Sequence, residues 1–154
     1  DFIRFQYAGK SVFVLHGSYF NTSEFIFRST PWEIKQRNFD ETKADVILSG
    51  HCGLPFHDIQ DDKYWLNAGV IGMPANDGTT RVWYMILDDS DGFQFRHESF
   101  EYDYATAAYL MKENQLPASY AKTLTTGLWD NCEILPEVET KEMGKRIDSI
   151  LQFG

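Results

Sequence analysis

Two short apolar runs, Val12-Phe13-Val14-Leu15 and Val46-Ile47-Leu48, each lead within three residues to a histidine with glycine beside it. The first runs into His16-Gly17 and the second into Ser49-Gly50-His51. Runs this short, rich in β-branched residues and closed by glycine, are expected as buried strands rather than helix turns. Both histidines therefore fall just beyond the C-terminal end of a strand. If the strands are neighbours in one sheet, the two side chains meet where open α/β sheets place their ligands. Glycine lets the chain turn sharply and lets a ligand approach the backbone, and neutral imidazole is the commonest protein metal ligand. The pair reads either as two ligands of one metal or as two histidines in hydrogen-bonded turns.

The rest of the chain frames that choice. Ile3–Tyr7 and Val12–Leu15 flank Ala8-Gly9-Lys10, a hairpin signal. Thr22 or Ser23 is a possible cap for a short helix, and a longer helix is expected with Thr30 as N-cap and Pro31 in its first position. Strands are expected through Lys63–Gly69, through Val82–Leu87, and through the alternating Phe93, Phe95, His97 and Ser99, the last two pairing across Asp88–Gly92. Asp103 is positioned to cap a helix reaching Asn114, Pro117 starts another, and the terminal Glu139–Phe153 has helical periodicity. Strands first and helices mainly late point to a layered α/β (α+β) fold in one unit, residues 1–154.

Composition removes several function classes. The formal charge of -9 repels phosphate backbones, so long nucleic acid is not expected as a partner. No apolar run approaches the ~20 residues of a membrane span, and DFIRFQYAGK lacks the basic-then-apolar pattern of a signal peptide. Two scattered cysteines, Cys52 and Cys132, form no disulfide framework and fit a reducing, cytoplasmic setting.

The other chemistry-bearing residues are read as structural. His57, after Pro55-Phe56, is expected in a loop, and His97 on a partly exposed strand face. Cys52 is expected as a small buried residue. Asp58, Asp61 and Asp62, and the run from Asp88 to Asp91, have no spacing that demands a metal. Ser18 lies near His16, but no third member completes a nucleophilic triad. Arg28, Lys35 and Arg37 lie in one segment and could meet an anion, though exposed basic residues are mostly solvated.

Four segments, VFVLHGS, ADVILSGHCGLPF, YWLNAGVIGMPANDGTTRVWYMILDD and FEYDYATAAYLMKENQLPASYAKTLTTG, resemble in order and spacing the calcineurin-like metallophosphoesterases. The likeness is to the compact bacterial and archaeal members described as phosphodiesterases or diadenosine tetraphosphatase-like. It covers residues 12–124 and leaves a tail, 128–154, unmatched. The resemblance implies part of a four-layer α/β/β/α sandwich with mixed or antiparallel strands. It implies a metal-activated water attacking a phosphomonoester or phosphodiester, a small-molecule substrate, between two divalent ions (manganese, iron, zinc or nickel) about 3.5–4 Å apart. His16 and His51 would be ligands of one metal.

Two departures limit the carry-over. The family's Asp-x-His, Gly-Asp and Gly-Asn-His motifs do not occur in this sequence. The expectation is that these residues form a C-terminal portion, with the catalytic residues upstream of Asp1. The last histidine of the Gly-His-x-His motif is here Gly53, which removes a ligand of the second metal. Gly53, with Ala68-Gly69-Val70 in place of the usual strand end, keeps open a catalytically degenerate binding or regulatory module. A half-domain with an open sheet edge, prone to homo-oligomer pairing, is the third reading.

Overall fold

The computed structural model describes residues 2–148. Five strands form a mixed sheet in the order β1-β2-β3-β5-β4: β1 Ile3–Tyr7, β2 Lys10–Val14, β3 Val46–Ser49, β4 Pro55–Gln60 and β5 Lys63–Ala68. The central trio β2, β3 and β5 is parallel, and β1 and β4 are antiparallel outer strands. Strands β6 Val82–Asp88 and β7 Gln94–Phe100 form a second, antiparallel sheet.

Alternation along the central strands supplies two cores at once. Phe13, Ile47 and Trp65 point to one face, where they pack with Phe39 of α1 (Trp32–Thr42) and with Trp129 and Leu135. Their neighbours Val12, Val46 and Leu66 point to the other face and meet Phe95, with Met85 and Leu87, of the second sheet. All six strand residues are at most 3% exposed, and each such side chain contributes about 1.5–3 kcal/mol. This double burial explains why β3 reads as a continuous apolar run.

The turns follow from chemistry that the sequence shows in part. Ala8-Gly9 joins β1 to β2, and Asp61-Asp62 joins β4 to β5, with positive φ at both central residues. Two left-handed residues match the twist of a tight hairpin. The aspartate pair is thus the exposed turn expected, but it closes a hairpin whose first strand, β4, stands where a loop was expected around His57. His57 lies in that strand, opposite Leu66.

Other expectations are corrected locally. Thr30 does not cap α1: its hydroxyl accepts from the Phe27 N–H at 2.9 Å, and Pro31 holds the cap position. No helix forms at Thr22 or Ser23. Asp103 does cap α2 (Tyr104–Glu113), accepting from the Thr106 N–H at 3.0 Å. Helix α3 (Ala118–Thr126) follows Pro117 and packs on α2 through Ala108, Ala121 and Leu124. In the tail only α4, Glu137–Thr140, is helical; residues 141–148 are turns and irregular chain, and the rest of the helix expected there lies outside the described residues.

Candidate metal centre

The parallel register Val12↔Val46 to Val14↔Leu48 brings the ends of β2 and β3 side by side. The Leu15 N–H donates to the Leu48 carbonyl at 3.0 Å, carrying the pairing one residue past β2. The His16 carbonyl then accepts two bonds, from the N–H groups of Gly50 and His51, at 2.9 and 2.8 Å. This backbone clamp joins the two histidine loops before any side chain is considered.

The side chains converge. His51 Nδ1 and His16 Nε2 are 2.7 Å apart, with ring centroids at 4.6 Å. His16 is exposed and His51 half-buried. Phe25 stacks on the His51 ring at 4.2 Å and 29°. Burial, and secondarily the charge of His16, lower the His51 pKa, which favours the neutral imidazole that a metal needs.

Gly17 is required where it stands. A Cβ there would lie 2.6 Å from the Thr22 carbonyl oxygen and 2.7 Å from that of Glu24. The loop leaving His16 is therefore wrapped against its own backbone, and Tyr19 N–H reaches the buried Asn38 Oδ1 at 2.8 Å. Gly50 has no such constraint, because a Cβ there meets open space.

The neighbouring candidates do not join the pair. Cys52 turns into the core, 2% exposed, where its sulfur accepts from Asn67 Nδ2 at 3.2 Å. Burial pushes its thiol up to about 12, which disfavours the thiolate form that a metal takes. Gly53 has φ +69, and a Cβ on it would meet only Val70 Cγ1 at 3.5 Å and Met73 Cε at 3.7 Å. Ser18 bonds to the Glu24 carboxylate and to the Asn21 carbonyl rather than to His16. Among the described residues no three histidines, cysteines or carboxylates gather around one point.

His97 is 8% exposed, not on a partly exposed face, and lies between the sheets with its Nε2 2.8 Å from the Asn67 carbonyl oxygen. The alternation along β7 is as expected, but the face it defines is covered by the larger sheet. His57 lies 5.9 Å from His97 between ring centroids. Asp58 pairs with Lys35 at 2.5 Å and Asp62 with Lys10 at 2.9 Å. Lys35, expected to be solvated, is fully buried, while Arg37 lies over Phe20.

Sequence reasoning missed Phe25 as the ring that backs His51, since an aromatic residue in an irregular loop carries no periodic signal. It also missed Asn67 as a junction. Its amide holds Cys52 and the Gly69 N–H, and its carbonyl meets His97.

No family model matches the chain, and no curated protein matches it. Solved structures do. A hypothetical protein from Pyrococcus horikoshii OT3 superposes with a TM-score of 0.71 at 17% identity, over 83% of this chain and 51% of that one. A metallophosphoesterase from Sphaerobacter thermophilus gives 0.64 at 24% identity, over 81% and 57%. Vps29 from Entamoeba histolytica, complexed with Zn²⁺, gives 0.50 at 16%, over 64% and 53%. The chain has the metallophosphoesterase fold, and it spans about half the length of the structures it matches.

Proposed function

We propose that this chain supplies His16 and His51 as two ligands of a divalent metal in a metallophosphoesterase of the phosphodiesterase or diadenosine tetraphosphatase-like kind. The observation that carries the reading is the 2.7 Å approach of two imidazole nitrogens across the ends of neighbouring parallel strands. The residues fit such an ion. Both donors are nitrogen, burial favours the neutral form of His51, and the shared His16 carbonyl fixes both loops. When bound, the ion supplies Lewis acidity to a phosphoryl oxygen and activates a water for attack. The chain's own part is to orient the imidazoles: Phe25 fixes one face of His51, and Gly17 fixes the loop beyond His16. The substrate is a small phosphate ester, and the two free cysteines suit a reducing, cytoplasmic setting. No helix among the described residues is long and apolar enough to cross a membrane.

A binding module is the second reading, and Gly53 is the observation that favours it. Glycine offers no ligand at the position where the motif has its last histidine, and Cys52 is turned inward.

Elemental mass spectrometry after manganese or zinc loading tests the metal reading. Metal bound by the chain and lost in both His16→Ala and His51→Ala is the expected result. A chain that takes up no metal, or whose uptake ignores both substitutions, overturns it. Turnover of bis-nitrophenyl phosphate by the metal-loaded chain would overturn the binding-module reading.

A further inference from the structure

The two histidine loops continue into a groove that the metal reading leaves unused. The chain beyond His16 reaches it at Arg28 and Ser29, and the chain beyond His51 reaches it at Leu54. The start of β4 forms its floor and the tail from Val138 to Ile147 its outer wall. Its volume is about 650 Å³, within the range of small-molecule sites.

The lining mixes apolar side chains with charged ones, Asp77, Glu139 and Glu142 beside Arg28, Lys145 and Arg146. Leu54 and Phe56 come from the sheet side, and Val138 and Met143 from the tail. Val138 is 60% and Met143 45% exposed. Large apolar side chains held open on a concave wall mark a binding surface more than scattered exposure does. The carboxylates in the wall are engaged. Asp77 pairs with Arg81 at 3.1 Å and Glu142 with Lys145 at 2.8 Å, while Glu139 accepts from the Ser29 N–H at 3.0 Å. Arg146 pairs with Asp148 at 3.1 Å. Arg28 is exposed and makes no ion pair among the described residues.

The tail wall is built rather than loosely apposed. Gly144 N–H donates to the Asn76 carbonyl at 2.9 Å, and Ile147 N–H to Asp77 Oδ2 at 3.2 Å. Arg81 reaches the Ile147 carbonyl. These bonds within the chain hold the wall in place, which lowers the cost of ordering it on binding.

We propose that this groove is a site for a small organic anion, its apolar body lying between Leu54, Phe56, Val138 and Met143 and its anionic group meeting the Arg28 guanidinium. A planar guanidinium at the mouth suits a carboxylate, sulfonate or phosphate end group. The site lies apart from the imidazole pair and needs no metal.

The test uses the chain in excess chelator, titrated with anilinonaphthalene sulfonate, an apolar body with one anionic group, and with its uncharged counterpart N-phenylnaphthylamine. Saturable one-site binding of the sulfonate is expected. Arg28→Gln weakens the sulfonate by about tenfold, the loss of one charge-assisted hydrogen bond, and leaves the neutral probe unchanged. Met143→Asp weakens both. A Tyr109→Ser, Leu116→Ser double variant, at exposed positions on α2 and in the turn between α2 and α3, changes neither. The proposal is overturned if sulfonate binding is the same in Arg28→Gln, or if it follows the Tyr109 and Leu116 substitutions instead. Loss of metal binding in the histidine variants with sulfonate binding intact separates this site from the metal centre.

Discussion

His97 of β7 reaches across the gap between the sheets to place its Nε2 2.8 Å from the carbonyl oxygen of Asn67 on β5. Asn67 is itself paired in register with Ser49, two residues before His51. The second sheet is thereby tied to the strand ends behind the imidazole pair, and burial between the sheets disfavours the charged form of His97.

Stability is accordingly expected to fall in acid. Burial, then the neighbouring His97, lowers the His57 pKa to about 4, and burial also lowers that of His97. Both folded values lie below the unfolded value of about 6.5. A base with a depressed folded pKa contributes its stability above the unfolded pKa and loses it as pH falls toward the folded one. The loss between about pH 6.5 and 4 is expected to reach about 2–3 kcal/mol. Urea midpoints measured across that window check it, and His57→Gln should flatten the slope.

The Lys35–Asp58 pair is expected to be costly to break and cheap to replace. Lys35 Nζ is fully buried, bonded to Asp58 at 2.5 Å and to the Arg28 carbonyl at 3.0 Å. Burial lowers its pKa even against the partner's charge. Asp58→Asn leaves the ammonium uncompensated and should destabilise by about 3–5 kcal/mol. Lys35→Met combined with Asp58→Leu should recover most of that loss. Chemical denaturation of the three variants reads both effects.

The two glycines beside the histidines are expected to behave oppositely. Gly17→Ala drives a methyl into the Thr22 and Glu24 carbonyl oxygens and should cost about 1–3 kcal/mol. Gly50→Ala meets nothing and should stay within about 0.5 kcal/mol of the parent. Thermal melts of the two variants, and metal uptake by each, show whether the loop after His16 is the constrained one.

Replacing Gly53 tests the missing ligand. A Cβ fits there at ordinary contact with Val70 and Met73, but the left-handed φ of +69 costs about 1–2 kcal/mol for a side-chain residue. Gly53→His should lose that much stability and gain metal affinity. Gly53→Gln carries the same backbone strain without the imidazole and should lose stability alone. Equal metal uptake by both variants would mean that position 53 does not face the ion.

How much was legible from the residues depended on the range of the interaction. Strands β1 to β3 and β5 to β7, the Asp103 cap and the His16–His51 pairing were readable because local alternation, turn residues and strand-end position carry them. Strand β4 was not readable. Pro55-Phe56-His57 looks like a loop until Lys63–Ala68 pairs with it, and its apolar alternation is interrupted by His57 and Asp58. Likewise, nothing near Lys35 in sequence announces burial, because its counter-charge lies on a strand 23 residues away.

The sequence by itself determined two apolar strands ending in histidine, a glycine where a third histidine is expected, and a cysteine placed to turn inward. These are local facts, set by side-chain identity and spacing. Only the tertiary structure decided that His97 is buried, that Phe25 backs His51, and that the tail walls a groove beside β4. Those depend on which surfaces two sheets and a tail cover when they pack, and no short stretch of chain encodes that coverage.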